Sequence, residues 1–198
     1  MNRQRTIWWL GAGILLLFLL ALNFLSFQLA RSITGTDYSV STYRSGADAP
    51  KNMAPGLTLY YRVNGEGQVA AELETALHDE LAQLPSAAAV MPLSESIQNQ
   101  PAPLLQVDLA LDRLWTPVYA RATLTAQIYF AYDGDAPWPL DEPIVLQESP
   151  AVKADGEFTL VDTTWGLISK PAYTEHLAQA LAEAIAKALD ADVFPTPE

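Results

Sequence analysis

The chain has 198 residues, no cysteine and a formal net charge of −12 at pH 7. Without cysteine it has no disulfide, no thiolate metal ligand and no cysteine nucleophile. All 23 acidic residues follow Gly35, whereas Arg3, Arg5 and Arg31 precede it. Nucleic acid and anionic lipid headgroups are therefore poor partners for the later chain, and a basic protein or a cation is favoured.

The first thirty residues predict a membrane anchor. Residues 7–30 are predominantly apolar, and a helix of this length would measure roughly 36 Å, enough to cross a bilayer core of about 30 Å. Arg3 and Arg5 precede this segment, which predicts a cytoplasmic N-terminus and an extracytoplasmic remainder. The residues expected to form the anchor are Ile7, Trp8, Trp9, Leu10, Leu15, Leu16, Leu17, Phe18, Leu19, Leu20, Leu22, Phe24, Leu25 and Phe27.

A cleaved signal peptide is the alternative interpretation of this segment. Its apolar core is usually about 7–15 residues long and ends at a small-x-small cleavage site. Here the apolar segment is longer, and Gln28 stands where a small residue is wanted. We therefore expect an uncleaved, single-pass anchor in the cell membrane.

The segments after the anchor predict a linker, a domain and a tail. Residues 31–55 are rich in Ser, Thr, Gly and Asp without sustained periodicity, which is typical of a flexible linker. Residues 56–192 contain the helix and strand patterns of one domain. Residues 193–198 are expected to form a disordered tail.

The domain begins with strand and helix patterns. Residues 57–63 alternate between apolar and polar side chains, which indicates a half-buried strand, and apolar spacing predicts a helix over 68–84 that ends at Pro85. Residues 87–93 favour a short edge strand limited by Pro92. Residues 105–112 and 121–132 alternate most clearly, and their short connection predicts an antiparallel hairpin.

The later elements complete an α+β domain. Residues 144–147 and 157–161 are two strand candidates or the two ends of one bulged element, and the last helix is expected over 171–189. No helix separates the later strands. We therefore expect a twisted, mainly antiparallel sheet of about four strands in the order β-α-(β)-β-β-β-α, behind the transmembrane helix, with both helices on its apolar face.

This element order behind an N-terminal anchor resembles the small envelope lipoproteins that assist ABC-type transport or outer-membrane assembly. The stretch that carries the resemblance runs from Leu104-Leu105-Gln106-Val107-Asp108-Leu109-Ala110-Leu111 through residues 121–132 to the alanine-rich residues 178–189. The resemblance implies a non-catalytic accessory subunit. The lipid-bearing cysteine of that group is absent, and the predicted transmembrane helix stands in its place.

One glycine motif suggests a cofactor site. Gly65-Glu66-Gly67-Gln68-Val69-Ala70 matches the G-x-G-x-x-A pattern of dinucleotide-binding turns, between a strand and a helix. However, Glu66 would repel a pyrophosphate, the preceding strand is polar on one face, and no further β-α-β units follow. A tight strand-to-helix turn explains the glycines, so we expect no cofactor.

Metal-ligand candidates are few. His78 and His176 are the only histidines, and Glu74 lies one helical turn before His78. These three could approach one another if both helices cover the same sheet face, but a zinc or copper site lacks an obvious fourth ligand. An acidic loop could also take a cation, although Asp-Gly at a strand end is an ordinary hairpin turn; its residues are Asp133, Asp135, Asp141 and Glu142.

No catalytic residue is predicted. Asp108 and Asp112 lie about 13 Å apart by strand rise, too far for an acid–base pair. The serines considered lack a nucleophile motif; they are Ser94, Ser96, Ser149 and Ser169. Three tryptophans in or near predicted loops either line a binding groove or, more commonly, cap the core; they are Trp115, Trp138 and Trp165.

The sequence thus predicts a non-catalytic domain that docks another protein of the cell envelope, with no catalytic, cofactor or metal site. One alternative is a module that binds an amphiphile or lipid between the sheet and the helices. Another is an envelope hydrolase that would depend on His78 or His176.

Overall fold

The structure, a computed structural model, describes residues 3–44, 58–85, 87–93, 103–132 and 152–193. In chain order the elements are α1 (Arg3–Ala21), β1 (Gln28–Arg44), β2 (Thr58–Asn64), α2 (Gln68–Leu81), β3 (Ala89–Pro92), β4 (Leu104–Thr116), β5 (Tyr119–Tyr132), β6 (Val152–Ile168) and α3 (Lys170–Ala188). A π-helical turn (Leu189–Val193) follows α3.

The strands form one mixed sheet in the order β1-β6-β5-β4-β2-β3. The first four of these pair antiparallel, whereas β2 pairs parallel with both β4 and β3. Helix α2 connects β2 to β3 as a crossover, the kind of connection that parallel neighbours need. The β1–β6 ladder runs residue for residue, from Gln28 opposite Ile168 to Arg44 opposite Val152.

Helices α2 and α3 pack side by side and cover one face of the sheet. Their apolar residues recur at three- and four-residue spacing, so that Leu73, Leu77 and Leu81 of α2 are fully buried. Every second residue of β5 and β6 faces them, including Phe130 and Phe158 at 0% exposure. Burying each such large side chain stabilises the fold by about 1.5–3 kcal/mol, so this layer holds the sheet and helices together.

Most of the elements with strong periodicity are confirmed. Strand β2, the edge position of β3, the antiparallel hairpin of β4 and β5, and helix α3 lie where the sequence predicts them. Helix α2 ends at Leu81, three residues before the predicted end. The candidate strand 144–147 and residues 194–198 lie outside the described residues.

The predicted fold class is wrong in its sheet and in its N-terminal segment. The described sheet has six strands and is mixed, not about four and mainly antiparallel. Residues 31–44 of the predicted linker lie in β1, while residues 45–55 are outside the described part. The sequence does not show the apolar alternation of a strand here, because β1 lies at an edge of the sheet, where polar Ser and Thr side chains are tolerated on both faces.

The predicted membrane anchor is also wrong. Helix α1 ends at Ala21, and the Asn23 side chain donates a hydrogen bond to the Leu19 carbonyl, 3.2 Å away, at the helix end. Residues 28–30, the end of the predicted span, pair with β6 instead. None of the helices within the described ranges is both long and apolar enough to cross a membrane, which overturns the single-pass location predicted from it.

The predicted anchor residues are thus divided between two kinds of structure. Those up to Leu20 lie in α1, and Leu22, Phe24, Leu25 and Phe27 lie in the connection to β1. The Leu22 side chain is buried, and its carbonyl accepts a hydrogen bond from the Lys170 amide at 2.9 Å. This contact joins the connection to the start of α3.

Candidate functional site

The glycine motif forms the turn between β2 and α2. Gly67 has φ = 79° at the helix N-terminus, a conformation that favours glycine. A Cβ on Gly65 would lie 3.1 Å from the Leu109 Cβ, so this position is also restricted by packing. These two constraints account for both glycines without a bound phosphate.

The two histidines lie on separate helices and have different neighbours. His78 on α2 lies beside Tyr61, with 6.1 Å between the ring centroids, whereas His176 on α3 contacts Asp162. Within the described ranges, no three His, Asp or Glu side chains form a group that could hold a metal ion. Glu74, His78 and His176, considered from the sequence as a possible metal site, therefore do not come together.

Several sequence candidates fall outside the described residues. Among the serines, Ser169 is described: it is fully buried, and its hydroxyl accepts hydrogen bonds from the Phe27 amide at 2.8 Å and the Ala172 amide at 3.3 Å. It therefore caps α3 and fastens the start of β1. The candidates outside the described part are Asp133, Asp135, Asp141, Glu142, Ser94, Ser96, Ser149 and Trp138.

The remaining candidates lie on strands. Asp108 accepts hydrogen bonds from the side chains of Asn64 and Gln106, at 2.7 and 2.8 Å, and so belongs to a polar ladder across β2 and β4. Trp115 is half-buried against the core, as the capping interpretation expects. Trp165 is 47% exposed on the face of the sheet opposite the helices.

A buried carboxylate that the sequence did not reveal lies at the centre of a polar cluster. Asp162 on β6 is 0% exposed although it belongs to the helix-covered face. Its carboxylate oxygens lie 2.6 Å from the Thr34 hydroxyl on β1, 2.8 Å from the Thr164 hydroxyl, and 3.1 Å from Nε2 of His176 on α3. Thr164 also contacts the Ser32 hydroxyl at 2.7 Å. The cluster therefore joins the edge strand, its neighbour and the last helix.

The electrostatics of the cluster favour an ionised Asp162. Burial raises the pKa of Asp162, but the hydrogen bonds from His176, Thr34 and Thr164 outweigh this effect and hold the pKa below its ordinary value. Nearby, burial and the Asp162 carboxylate raise the pKa of the Tyr173 hydroxyl. That hydroxyl is buried without a hydrogen-bond partner among the described residues.

The same geometry argues against a catalytic triad at this position. In a triad the carboxylate and the nucleophile bond to opposite nitrogens of the imidazole. Here Asp162 and the Thr34 hydroxyl both contact Nε2 of His176. The arrangement therefore fixes the histidine between α3 and β1 rather than preparing it as a base for a nucleophile.

The second candidate is the sheet face that helices α2 and α3 leave uncovered, here called the outer face. Pairing across the long strands places Trp165 of β6 between Arg31 of β1 and Tyr119 of β5, with 6.3 Å between the Trp165 and Tyr119 ring centroids. The next row on this face is Ile33, Thr163, Arg121 and Leu114. The register thus brings aromatic, aliphatic and basic side chains together at one end of the face.

Large apolar side chains are exposed at this end of the outer face. Ile33 is 68% exposed, Leu114 is 58% exposed and Trp165 is 47% exposed. Single exposed apolar residues are normal, but several on one part of a sheet face, interspersed with polar residues, favour an interaction surface. We call this group the apolar patch; its residues are Leu29, Ile33, Leu114, Val161 and Trp165.

The sequence contained only part of the signal for these two sites. Phe158 and Leu160 alternate with polar residues, and continuing this alternation past Val161 places Asp162 on the same apolar face. An acidic residue on an apolar face is the signal that could have identified it. The apolar patch could not have been recognised from the sequence, because it depends on the pairing of β1 with β6.

Comparison with known proteins gives only distant similarity. No protein-family model matches the chain, and no curated protein matches it. Among solved structures it is similar to the PelC dodecamer from Paraburkholderia phytofirmans, with 14% identity, a TM-score of 0.45, and coverage of 81% of this chain and 100% of that chain. A dodecamer of a point variant of the same protein has 11% identity, a TM-score of 0.41, and coverage of 76% and 98%. Such values do not bear on function, and the resemblance to envelope accessory lipoproteins stays a prediction.

Proposed function

We propose that this chain is a non-catalytic docking domain that binds another protein through the apolar patch, as an accessory subunit of a complex. The observation that carries the proposal is the row in which Trp165 stands between Arg31 and Tyr119 on an uncovered sheet face. Trp, Tyr and Arg are the residues most enriched among those that dominate binding energy at protein interfaces.

The surroundings of Trp165 suit an interface. Its ring is half-exposed and lies against Tyr119, so its position is set before a partner arrives. Trp165 lies on a paired strand rather than in a loop, so binding a partner would cost little additional conformational entropy at this residue. Ile33 lies diagonally across from it on β1 and would lose exposed surface to the same partner.

The charges at the patch define the chemistry of the partner. The chain as a whole is acidic, which by itself favours a basic partner. At the patch, however, strand pairing places the exposed Arg31 and Arg121 beside Trp165, whereas the exposed Asp112 lies two strands away, beside Leu114. Salt screens charges beyond about 8–10 Å, so the local arginines decide. We therefore expect a partner surface with an apolar centre and acidic residues at its rim.

The amphiphile-binding alternative lacks a comparable observation. Between the sheet and helices α2 and α3, the described side chains pack against one another, and Leu73, Leu77 and Ile128 are 0% exposed. Among the described residues the hydrolase alternative has no supporting arrangement either: Asp162 and Thr34 hold His176 on one nitrogen, and His78 lies beside the Tyr61 ring. The docking role is the function we propose.

Site-specific photocrosslinking tests the proposal in the full chain. The photoreactive residue p-benzoylphenylalanine replaces Thr163, beside Ile33 and Arg121, in cells that naturally make the protein. We expect irradiation to give one discrete adduct with another protein. Adding Trp165→Ala to the same chain should reduce its yield several-fold, because Trp165 is the anchor of the proposed interface.

The matched control places the same photoreactive residue at Glu183, which is exposed on the far side of α3. We expect no discrete adduct from this position. Equal adducts from both positions would overturn the proposal, and so would an adduct at position 163 that Trp165→Ala leaves unchanged.

A further inference from the structure

The two edges of the sheet are built differently. Strand β3, at one edge, has four residues and ends in Pro92, both features that prevent further strand pairing. Strand β1, at the other edge, has 17 residues, contains no Pro or Lys, and pairs with β6 without a bulge. No described residue pairs with its free edge. A long, regular edge of this kind is a template for another strand.

We propose that two copies of this chain pair through their β1 edges, antiparallel, about a two-fold axis at which Thr34 lies opposite Thr34 of the second copy. Two-fold symmetry places the same strand on both sides of the interface, so that each residue is opposed by one of the same parity. The backbone N–H and C=O groups that point outward from one copy then meet those of the other. The result is one continuous sheet through both copies.

Charge selects this register. It places Arg31 of each copy opposite Asp37 of the second copy, which gives two opposite-charge pairs on the outer face. Both side chains are exposed, and among the described residues neither has an ionic partner within its own chain. A two-residue shift that centres the pairing on Thr36 would place Arg31 opposite Ser41 and lose both pairs.

Gly35 supports the same register independently. Glycine weakens the interior of a strand and often marks the close approach of another group. Among the described residues nothing explains it: its φ is not among the positive values, and a Cβ built on it meets no heavy atom within 4 Å. In the proposed register Gly35 lies directly opposite Ile33 of the second copy, on the same face. The missing side chain leaves room for the isoleucine.

The inference does not rest on the docking role, because its evidence is the unpaired backbone of β1, although Arg31 and Ile33 border both surfaces. Its test also uses a property of the sequence: without native cysteines, any disulfide in a single-cysteine variant must join two copies. We therefore compare Thr34→Cys, Ser32→Cys and Thr36→Cys in the full chain. A mild non-ionic detergent is included, because apolar side chains of α1 are exposed.

We expect Thr34→Cys to form a disulfide-linked dimer under mild oxidation. Opposed residues in antiparallel strands have Cα atoms about 4.5–5.5 Å apart, within disulfide range. The controls should not crosslink, because each cysteine would lie roughly 13 Å along the strand from its counterpart. A stronger crosslink from Thr36→Cys than from Thr34→Cys would overturn the register, and no crosslink from any variant would overturn the pairing.

A charge exchange keeps the proposal testable if Thr34→Cys disturbs the Asp162 cluster. Sedimentation velocity should show a dimer that Arg31→Glu alone, or Asp37→Arg alone, weakens by about tenfold or more, because each makes two like-charge contacts. The double variant Arg31→Glu with Asp37→Arg should restore dimerisation. Lys187→Glu, an exposed charge reversal on α3, is the control and should not change dimerisation. A monomeric parent chain, or a double variant no better than the singles, would contradict the proposal.

Discussion

Replacing Asp162 by alanine tests whether the buried polar cluster holds β1 to the rest of the fold. The carboxylate accepts hydrogen bonds from Thr34 on β1, Thr164 on β6 and His176 on α3, at 2.6, 2.8 and 3.1 Å. It is fully buried, so water does not replace these bonds in the folded state. We therefore expect the variant to lose stability mainly through β1 and the start of α3.

The magnitude follows from the three partners. A hydrogen bond to a charged group contributes about 1.5–3 kcal/mol, and removing one partner of a buried charged pair costs about 3–5 kcal/mol. Two of the three donors can form hydrogen bonds to water in the variant, because Thr34 is exposed and His176 is 26% exposed, and this offsets part of the loss. The third, Thr164, keeps its contact with Ser32. We expect Asp162→Ala to lower the free energy of unfolding by about 2–3 kcal/mol.

Urea unfolding followed by tryptophan fluorescence measures this loss. Asp155→Ala is the matched control: it removes an exposed carboxylate from the opposite face of the same strand and should change stability by less than about 0.5 kcal/mol. If Asp162→Ala and Asp155→Ala unfold at the same urea concentration, the cluster does not hold β1 and the reasoning is refuted.

The remaining predictions concern pH, packing and backbone geometry. Because the folded-state pKa of Asp162 is lowered, its ionised carboxylate stabilises the fold above about pH 4, and this stabilisation is lost as the pH falls through the folded pKa. The difference in unfolding free energy between wild type and Asp162→Asn should therefore narrow on acidification. A difference that widens would contradict the lowered pKa. Phe158→Ala should cost about 3–5 kcal/mol in urea unfolding, since its ring is fully buried; a cost below about 1 kcal/mol would mean that the core is assigned wrongly. Gly166→Ala should lower the melting temperature, because φ is 113° and a Cβ would lie 2.7 Å from the Leu29 carbonyl oxygen, whereas Gly35→Ala should leave the thermal stability of the single chain unchanged or slightly higher; equal effects of the two would refute the distinction.

The sequence predicts those elements whose pattern is set by one buried face. Helix α2 and the hairpin of β4 and β5 have unbroken apolar periodicity, because one side of each packs on the core. Strand β1 has no such pattern. Its stability comes from pairing with β6 rather than from burial, and its Ser, Thr and Gly content is equally typical of a linker.

The sequence predicts only part of strand β6 for a related reason. Gly156 and Asp162 interrupt its apolar alternation, and both are explained only by tertiary contacts. A Cβ on Gly156 would lie 2.9 Å from Cγ2 of Val40 on β1, and Asp162 is satisfied by Thr34 and His176. Both outlying residues depend on β1, the strand that the sequence did not reveal.

The N-terminal error has a similar origin. A count of apolar residues over 7–30 treats the segment as one unit, but the structure divides it between α1 and β1 at a turn near Asn23. The candidate sites follow from this division. Ile33 reaches the apolar patch, and Thr34 reaches Asp162, only because the chain leaves the helix and enters the sheet.

Hydroxyl-radical footprinting in living cells tests the docking role most directly. Oxidation of Trp165, 47% exposed in the isolated chain, is compared with that of Tyr43, 54% exposed at the far end of the same strand system, each in cells and in the purified protein. If the apolar patch binds a partner, Trp165 is protected several-fold in cells while Tyr43 stays equally reactive. Equal oxidation of Trp165 in both settings would contradict the proposed function.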